Sequence, residues 1–444
     1  MIRVRFACSP AGHLSIAAAR VALLNLLLAR RHGGDFLLRF DDVDTEHSRP
    51  EYAEAIPHDL HWLGLAPDAV LRQSERGTLY AEAAERLKRA GRLYPCFESE
   101  EELRAKRDFR LKRGQPAVYD RAMLRLTEAQ RTAAEAGGKR PHWRFRLSDT
   151  AMQWHDAVLG RRSVKLQSVS DPIVLRADGT PTRVFSSVID DLDLAISHVI
   201  RGDQHATSAA VQLDMVAALG GDPGRITFAH IPALTDDGSS RWSRRVAGRS
   251  VRSLRGDGIE PAALVACLAR LGTRLPLEAL PLDILAQEFE LSGLSPQAVP
   301  FAAADLLALN RAVLGRLDYP AVADRLPRGA TEAFWLAVRG SLDLLNEARG
   351  WWDVVAGTIV PPVIEGGREI LTAALRLLPP EPWSGTVCSD WLGSLAEALG
   401  RDAGELTLPL RLALTGEEGG PDLDRLLPLI GRTRAANRLQ IAAA

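Results

Sequence analysis

The fold is decided by residues 3–44, which read RVRFACSPAGHLSIAAARVALLNLLLARRHGGDFLLRFDDVD. Residues 2–8 predict a buried strand, and leucines and alanines recur at helical spacing from about Leu14 to Arg31. His32-Gly33-Gly34 ends that helix, and Phe36 to Phe40 predicts a second apolar strand. Strand, helix and strand in this order form a βαβ unit, and such units build a parallel sheet.

Two polar segments follow the predicted strands. Ser9-Pro10-Ala11-Gly12 comes directly after the first strand, and Asp41-Asp42-Val43-Asp44 comes directly after the second. In open parallel sheets, ligands bind beyond the carboxyl ends of the strands. The sequence therefore predicts a ligand site between these two segments.

The bulk composition is that of a globular protein with more than one domain. A chain of 444 residues is too long for one hydrophobic core, so about two to four domains are expected. The formal net charge of -1 does not demand a nucleic-acid partner. A total does not show whether arginines gather on one face, so it does not exclude such a partner either.

The four cysteines are isolated, without a CxxC pair or a Cys/His cluster at zinc spacing. We therefore predict no metal site and a reducing compartment without structural disulfides. The N-terminus lacks the apolar core of a signal peptide, and the apolar stretch Val21 to Ala29 is too short to span a bilayer. These features predict a cytoplasmic protein that does not contact a membrane.

The rest of the chain alternates between helical and strand-like patterns until about residue 260, beyond which it is helical. The stretch from Ser170 to Arg201 has buried strand character, with Val188-Ile189 running into Asp190-Asp191. The other predicted elements are amphipathic helices at 51–64 and 77–91, a helix at about 206–219, an apolar segment at 226–234 and a polar loop at 236–250.

Short motifs are distributed in a characteristic order along almost the whole chain. They are Arg72-Gln73-Ser74, Tyr94-Pro95-Cys96, Tyr119-Asp120-Arg121, Arg144-Phe145-Arg146, Ser170-Asp171-Pro172, Val188-Ile189-Asp190-Asp191, His198-Val199-Ile200-Arg201-Gly202-Asp203 and Pro409-Leu410-Arg411-Leu412-Ala413-Leu414-Thr415-Gly416. Together with residues 5–20 and Leu38-Arg39-Phe40-Asp41-Asp42-Val43-Asp44, this pattern resembles the bacterial glutamyl-tRNA synthetases, and the alphaproteobacterial type most closely.

The resemblance implies a fold of the α/β plus all-α kind. A Rossmann-like class I synthetase catalytic domain would carry an inserted acceptor-binding domain and be followed by helical stem-contact and anticodon-binding domains. The implied segments are the catalytic domain at 1–72 and 177–218, the acceptor-stem-binding insertion at 73–176, the stem-contact domain with its KMSKS-like loop at 219–300, and the anticodon-binding domain at 301–444.

The resemblance also implies a reaction in two steps. Glutamate attacks the α-phosphate of ATP to give glutamyl-adenylate, and the terminal ribose hydroxyl of tRNA(Glu) then takes the glutamyl group. The implied ligands are L-glutamate, tRNA(Glu), ATP and the Mg²⁺ that ATP brings, and the family is usually monomeric. No covalent enzyme intermediate is used, so catalysis depends on positioning and on stabilising charge at the phosphates.

The glutamate site is partly present. Arg5, Ala7, Ser9 and Arg201 match positions that hold the amino acid in the family, while Asp41 and Asp44 lie where acidic residues would meet its ammonium group. Without this match, charges at strand ends would be interpreted as solvating the edge of a sheet. The sequence departs from the family at Arg183, where the family usually has a tyrosine that contacts the glutamate side chain.

The ATP site departs further from the family. The HIGH motif, which places histidine on the phosphates and glycine against adenine, is replaced by Ser15-Ile16-Ala17-Ala18. We assign Ser15, Ala17 and Ala18 to this site, together with Ser243 and Arg244 of the KMSKS-like sequence Trp242-Ser243-Arg244-Arg245. The arginine run around that sequence is equally compatible with a solvated basic loop and with contact to the tRNA backbone.

Candidate RNA contacts in the helical region are Arg339, Arg349 and Arg411. Trp335, Trp351 and Trp352 could stack on unpaired bases, but tryptophans in such helices more often belong to the core, and we favour that interpretation.

Three hypotheses follow from the sequence. The first is a glutamate–tRNA ligase with impaired or conditional activity. The second is a paralogue that binds tRNA and has lost adenylate formation. The third is the same scaffold acting on another amino acid or acceptor. The substitutions at Ser15 and Ala17 separate the first two, and Arg183 bears on the third.

Overall fold

The computed structural model describes residues 1–44, 46, 48–236, 249–383 and 385–444. The chain divides into two compact units. The first unit contains Met1–Ser253 and Val265–Ala303, and the second contains Leu254–Leu264 and Ala304–Ala444. Because residues 237–248 are not described, the predicted site residues Ser243 and Arg244 lie outside the described part of the chain.

The strands are β1 (Arg3–Cys8), β2 (Asp35–Phe40), β3 (Ala69–Arg72), β4 (Leu93–Cys96), β5 (His142–Phe145), β6 (Ala151–Asp156), β7 (Gly160–Lys165), β8 (Ile173–Leu175), β9 (His198–Gly202), β10 (Thr227–Ile231), β11 (Leu234–Asp236) and β12 (Val299–Phe301). The helices up to residue 300 are α1 (Ile16–Arg31), α2 (Pro50–Trp62), α3 (Gly77–Arg89), α4 (Glu100–Lys112), α5 (Glu128–Ala136), α6 (Arg183–Asp193), α7 (Ala206–Ala218), α8 (Val251–Asp257), α9 (Pro261–Arg270) and α10 (Leu282–Glu288). Those that follow are α11 (Ala303–Leu314), α12 (Glu332–Val338), α13 (Ala348–Ala356), α14 (Arg368–Leu377), α15 (Val387–Leu399), α16 (Ala403–Thr415), α17 (Leu423–Ile430) and α18 (Arg432–Ala443).

The first unit is built on a seven-stranded sheet in the order β3-β2-β1-β9-β10-β6-β7. The strands from β3 to β6 run parallel, and β7 closes the edge as an antiparallel partner of β6. β1 has β2 on one side and β9 on the other, so the chain leaves this point of the sheet in opposite directions. Such a reversal opens a crevice at the carboxyl ends of the strands, where ligands bind.

Helix α1 confirms the predicted βαβ unit. Its alanines and leucines are buried on most sides, and Ser15 caps its N-terminus by accepting a hydrogen bond from the Ala18 N–H at 3.2 Å. Arg30 and Arg31 occupy the last turn, where cations favour the negative end of the helix dipole. The chain then turns back through Gly33, whose φ of 60° suits a residue without a Cβ.

The prediction of strand structure around Val188-Ile189 was wrong, because residues 183–193 form helix α6. Phe185, Val188 and Ile189, with Leu192 beyond them, recur at the spacing of one helical face, and the first three are fully buried in the core. A short apolar run is compatible with both the helical and the strand period, and here tertiary packing selects the helix. The strand character on either side of α6 is confirmed by β8 and β9.

The region between β3 and α6 contributes a separate sheet. Strands β4, β5 and β8 form an antiparallel sheet, and α4 and α5 each begin with a capping box, at Ser99 and Thr127. The hairpin of β6 and β7 leaves this region and joins the main sheet. The five-segment domain division therefore stays a prediction, since the main sheet also takes strands from 151–165 and from 227–231.

The second unit is helical around its own apolar core. Trp335 is fully buried and donates from Nε1 to the Leu317 carbonyl at 2.8 Å, which confirms its interpretation as a core residue. Trp351 and Trp352 are half-buried against the same core, and the Trp352 ring meets Phe334 edge-on at 5.0 Å. No described helix combines the length and the apolarity that crossing a membrane requires.

We expect Gly34→Ala to destabilise the first unit. A Cβ at Gly34 would lie 2.1 Å from the Ile2 carbonyl oxygen, which accepts the Asp35 N–H and cannot move without disturbing the start of β1 and β2. The expected loss in the free energy of unfolding is about 1–3 kcal/mol, measured by urea denaturation. Gly77→Ala is the matched control, because a Cβ there meets nothing within 4 Å. Equal stability of the two variants would contradict this account of the turn.

Candidate active site

A cavity of about 760 Å³ lies at the carboxyl ends of the central strands. Its walls come from the ends of β1, β2, β9 and β10, from the first turns of α1 and α6, and from the start of α7. These elements are distant in sequence and converge because β1 and β9 are neighbours at the point where the strand order reverses.

The residues assigned to glutamate, apart from Asp44, and the described residues assigned to ATP line this cavity. They are Arg5, Ala7, Ser9, Asp41, Arg183 and Arg201 for glutamate, and Ser15, Ala17 and Ala18 for ATP. Asp44 is not among the lining residues, and its carboxylate lies 4.0 Å from Arg176. Arg339, Arg349 and Arg411 belong to the second unit.

Asp191 of α6 lies behind the cavity wall and joins two buried arginines. Arg5 donates to both carboxylate oxygens, from Nε at 2.9 Å and from Nη2 at 3.2 Å, and Arg39 donates from Nη1 at 3.1 Å. Arg39 also donates from Nε to Asp41 at 2.8 Å and from Nη2 to Ser187 at 2.8 Å. Burial works to raise the pKa of Asp191, but Arg5 and Arg39 outweigh it and hold that pKa below its usual range.

The neighbouring Asp190 lies 3.6 Å from Arg39 Nη1 and takes its hydrogen bonds from other residues. It accepts hydrogen bonds from Gln73 at 2.7 Å, from Arg76 at 2.8 Å and from the Tyr80 hydroxyl at 2.9 Å. Burial raises the pKa of Asp190 despite these donors. The motif Asp190-Asp191 therefore fastens α6 to both α3 and the main sheet. Sequence reasoning assigned no role to Asp190, Asp191 or Arg39.

Arg201 on β9 has no carboxylate partner among the described residues. Its Nε donates to His230 Nε2 at 3.0 Å and its Nη2 donates to the His205 carbonyl at 3.1 Å, while its guanidinium lies 5.2 Å from the centre of the Phe228 ring. Burial, with a smaller effect of Arg5, lowers the pKa of Arg201 to about 9, so the group is a cation at neutral pH. It therefore presents uncompensated positive charge at the cavity.

Arg183 is a second cation at the cavity. It begins α6, is exposed, and forms no hydrogen bond or ion pair through its side chain with any other described residue. Where the family usually has a tyrosine, this chain thus has a guanidinium that is open to an anionic ligand.

The start of α1 supplies the part of the cavity that was assigned to ATP. Ser15 Oγ accepts the Ala18 N–H, which leaves the Ser15 O–H available as a donor. The N-terminus of a helix also attracts anions through its dipole and its unpaired N–H groups. The chain that follows the undescribed residues returns here, since Val251 N–H donates to the Leu14 carbonyl at 2.8 Å and Ile16 N–H donates to the Arg249 carbonyl at 3.3 Å.

The three arginines assigned to RNA differ in their surroundings. Arg349 is exposed, whereas Arg339 donates to the Leu317 carbonyl at 2.8 Å and half-buried Arg411 donates to the Pro421 carbonyl at 2.7 Å. Arg339 and Arg411 therefore serve the packing of the second unit, and their role in RNA binding stays a prediction.

The described residues contain no group of three or more histidine, cysteine or acidic side chains placed to hold a metal ion.

We expect Asp191→Asn to lower the free energy of unfolding by about 3 kcal/mol or more, because it leaves two buried guanidiniums without their shared carboxylate. The lowered pKa means that the native carboxylate stabilises the fold above its unfolded pKa of about 3.9 and loses that contribution as the pH falls through the folded value. Urea denaturation at neutral pH measures the difference. Asp222→Asn is the control, since its ion pair with Arg225 is exposed and 3.9 Å long. A loss no larger than that of the control would contradict the account.

Comparison with known proteins agrees with this geometry. Residues 1–289 match the family model described as tRNA synthetases class I (E and Q), catalytic domain, and residues 364–443 match that of an anticodon binding domain. The chain is 56% identical to Glutamate--tRNA ligase 2 of Acidiphilium cryptum and 51% identical to Glutamate--tRNA ligase 2 of Gluconacetobacter diazotrophicus, each over 100% of both chains.

Among solved structures, the fold is shared with a glutamate tRNA ligase from Elizabethkingia meningosepticum in complex with its amino acid. The TM-score is 0.85 at 24% identity, over 100% of this chain and 99% of that one. The family resemblance and the fold class that the sequence predicted are thereby confirmed. The chain belongs to the class I tRNA synthetases of the glutamate and glutamine (E and Q) group.

Proposed function

We propose that this chain is a glutamate–tRNA ligase that activates L-glutamate with ATP and transfers the glutamyl group to the 3′ end of tRNA(Glu). The observation that carries the proposal is the convergence of the glutamate set and the described ATP set on one cavity at the reversal point of the sheet. The full-length similarity to proteins named glutamate–tRNA ligase supports it.

In this proposal, the glutamate is held by unlike charges on opposite sides. Arg201 has no carboxylate partner among the described residues, so its guanidinium would bind a substrate carboxylate. Asp41, which is anchored by Arg39, would accept the substrate ammonium group. Arg5 would act mainly through Asp191, because two of its nitrogens are already committed to that carboxylate.

ATP would bind with its phosphates at the start of α1. The Ser15 hydroxyl and the positive end of the helix would meet the phosphates, and Mg²⁺ would enter with the nucleotide. Ser243 and Arg244, which lie outside the described residues, would complete the phosphate contacts. Residues 249–251 pair with residues 14–16 at the start of this helix. Ala17 and Ala18 would pack against adenine.

Adenylate formation on this site would be slow compared with a site that carries a histidine at position 15. A serine hydroxyl is a shorter and neutral donor, and loss of one donor that acts in the transition state costs about 2.7–4 kcal/mol, or a factor of about 10²–10³ in rate. The substituted residues also keep the second hypothesis open, in which the chain binds tRNA without forming adenylate. We propose a cytoplasmic monomer that binds tRNA through its helical region, including residues 364–443.

The direct test is charging of total tRNA with labelled glutamate by the purified protein in the presence of ATP and Mg²⁺. We expect slow but enzyme-dependent charging, and a faster rate for the Ser15→His/Ala17→Gly variant, which restores the donor and the space for adenine. Omission of tRNA or of ATP is the control. Absence of charging by both proteins, with tRNA binding intact, would contradict the proposed function and favour a binding paralogue or another amino acid.

The Ser15→Asp variant distinguishes the two roles of Ser15, capping helix α1 and contacting the phosphates. Aspartate caps a helix as well as serine does, so the free energy of unfolding is expected to stay within about 0.5 kcal/mol of wild type. Its carboxylate would repel the phosphates, so we expect the KM for ATP to rise by about tenfold or more while the KM for glutamate changes little. Ser15→Ala is the matched variant, with the cap lost and no new charge. An unchanged KM for ATP in Ser15→Asp would exclude Ser15 from the phosphate site.

A further inference from the structure

Behind Arg201 lies a buried line of polar groups that sequence reasoning did not find. Asp156, at the end of β6, and His230, on β10, are both fully buried. The Asp156 Oδ2 lies 2.5 Å from His230 Nδ1, and His230 Nε2 accepts the hydrogen bond from Arg201 Nε at 3.0 Å. The arrangement therefore runs from a carboxylate through an imidazole to the guanidinium at the cavity.

The carboxylate is fixed by the backbone. Its Oδ1 accepts the N–H groups of Val158 at 3.1 Å, Leu159 at 3.0 Å and His230 at 3.1 Å. Because Oδ1 is fully occupied, Oδ2 is held toward the imidazole and can only accept a hydrogen bond. Burial works to raise the pKa of Asp156, but its hydrogen bonds with His230 and with these N–H groups lower it to about 2, so the group is a carboxylate at neutral pH.

This geometry determines where the proton of His230 resides. Arg201 Nε–H can only donate, so His230 Nε2 must accept and the proton must lie on Nδ1, where it meets Asp156. Burial lowers the pKa of His230, which agrees with a neutral ring. The ring is further held by stacking on Phe228, at 5.7 Å between centroids and an interplanar angle of 5°.

The imidazole also keeps Arg201 apart from Asp156. Arg201 and His230 are register partners on β9 and β10, and Asp156 pairs with β10 on its other side. Without an acceptor between them, the guanidinium would be drawn to the buried carboxylate, since opposite charges attract strongly where water is excluded. It would then turn its N–H groups away from the cavity.

We propose that His230, kept in its Nδ1–H tautomer by Asp156, is a positioning residue that directs the Arg201 guanidinium into the cavity to bind a carboxylate. That this carboxylate belongs to glutamate rests on the proposed function. The orientation of His230 and Arg201 does not depend on the proposed function. The tautomer and the glutamate assignment can therefore be tested separately.

The variants follow from the geometry. In Asp156→Asn, the amide oxygen would stay with the three backbone N–H groups, so the amide N–H₂ would face His230 and force the proton to Nε2, opposite Arg201 Nε–H. His230→Leu keeps the volume and removes the acceptor, whereas His230→Gln restores an acceptor toward Arg201. His155→Gln, on the exposed side of β6 next to Asp156, is the control histidine.

The first readout is ¹⁵N NMR of protein labelled at histidine, in which the His230 signals are those missing from His230→Gln. We expect a neutral Nδ1–H ring in the wild type and in His155→Gln, and an Nε2–H ring in Asp156→Asn. A charged ring or an Nε2–H ring in the wild type would overturn the proposal, whether or not the protein charges tRNA. If Asp156→Asn does not fold, the wild-type spectrum still decides this point.

The second readout is the KM for glutamate in the charging reaction. We expect a rise of about tenfold or more in His230→Leu and Asp156→Asn, with the KM for ATP within about twofold of wild type and the glutamate KM of His230→Gln within about threefold. An equal KM for glutamate in His230→Leu and His155→Gln would overturn the positioning role. A parallel rise in the KM for ATP in His230→Leu would overturn it as well. Absence of charging by the wild type would count against the proposed function, and the NMR result would then judge the tautomer alone.

Discussion

One buried carboxylate, that of Asp191, holds the candidate active site together. It accepts hydrogen bonds from Arg5 on β1 and Arg39 on β2, so it ties helix α6 to two adjacent strands of the sheet. Arg39 then holds Asp41 at the end of β2. Each of these groups is almost completely buried, and a buried charge is tolerated only when it is paired and hydrogen-bonded. The positions of α6, of Asp41 and of the cavity wall therefore all depend on this cluster.

The cluster distinguishes Arg5 and Arg39 from two other arginines of the cavity, Arg183 and Arg201. Arg5 and Arg39 are compensated by aspartates and act as part of the scaffold. Arg201 is held only by neutral acceptors, and Arg183 pairs with no other described residue through its side chain, so both offer positive charge to a ligand. Glutamate and ATP are both anions. A cavity with this distribution of charge is therefore suited to bind anionic ligands, as the proposed function requires.

The sequence was sufficient wherever the information is local. Residues 3–44 carry the period of a strand, a helix and a strand, and Asp41 follows directly from the end of the second strand. Ser15 was assigned from the family resemblance alone. Sequence reasoning was insufficient where contacts join residues that are distant in the chain. Arg5 and Asp191 are 186 positions apart and Asp156 and His230 are 74 apart, and only the order of strands in the sheet brings either pair together. Helix α6 was missed because its short apolar run fits both the helical and the strand period. Its burial against α3, α7 and the sheet of β4, β5 and β8 decides for the helix.

The most direct test is a crystal structure of the protein with a non-hydrolysable glutamyl-adenylate analogue. We expect the side-chain carboxylate of the analogue on Arg201, its ammonium group toward Asp41, and its adenine against Ala17 and Ala18, with Arg5 still paired to Asp191. An analogue carboxylate bound to Arg5 in place of Asp191 would contradict the account, as would an adenine excluded from the start of α1.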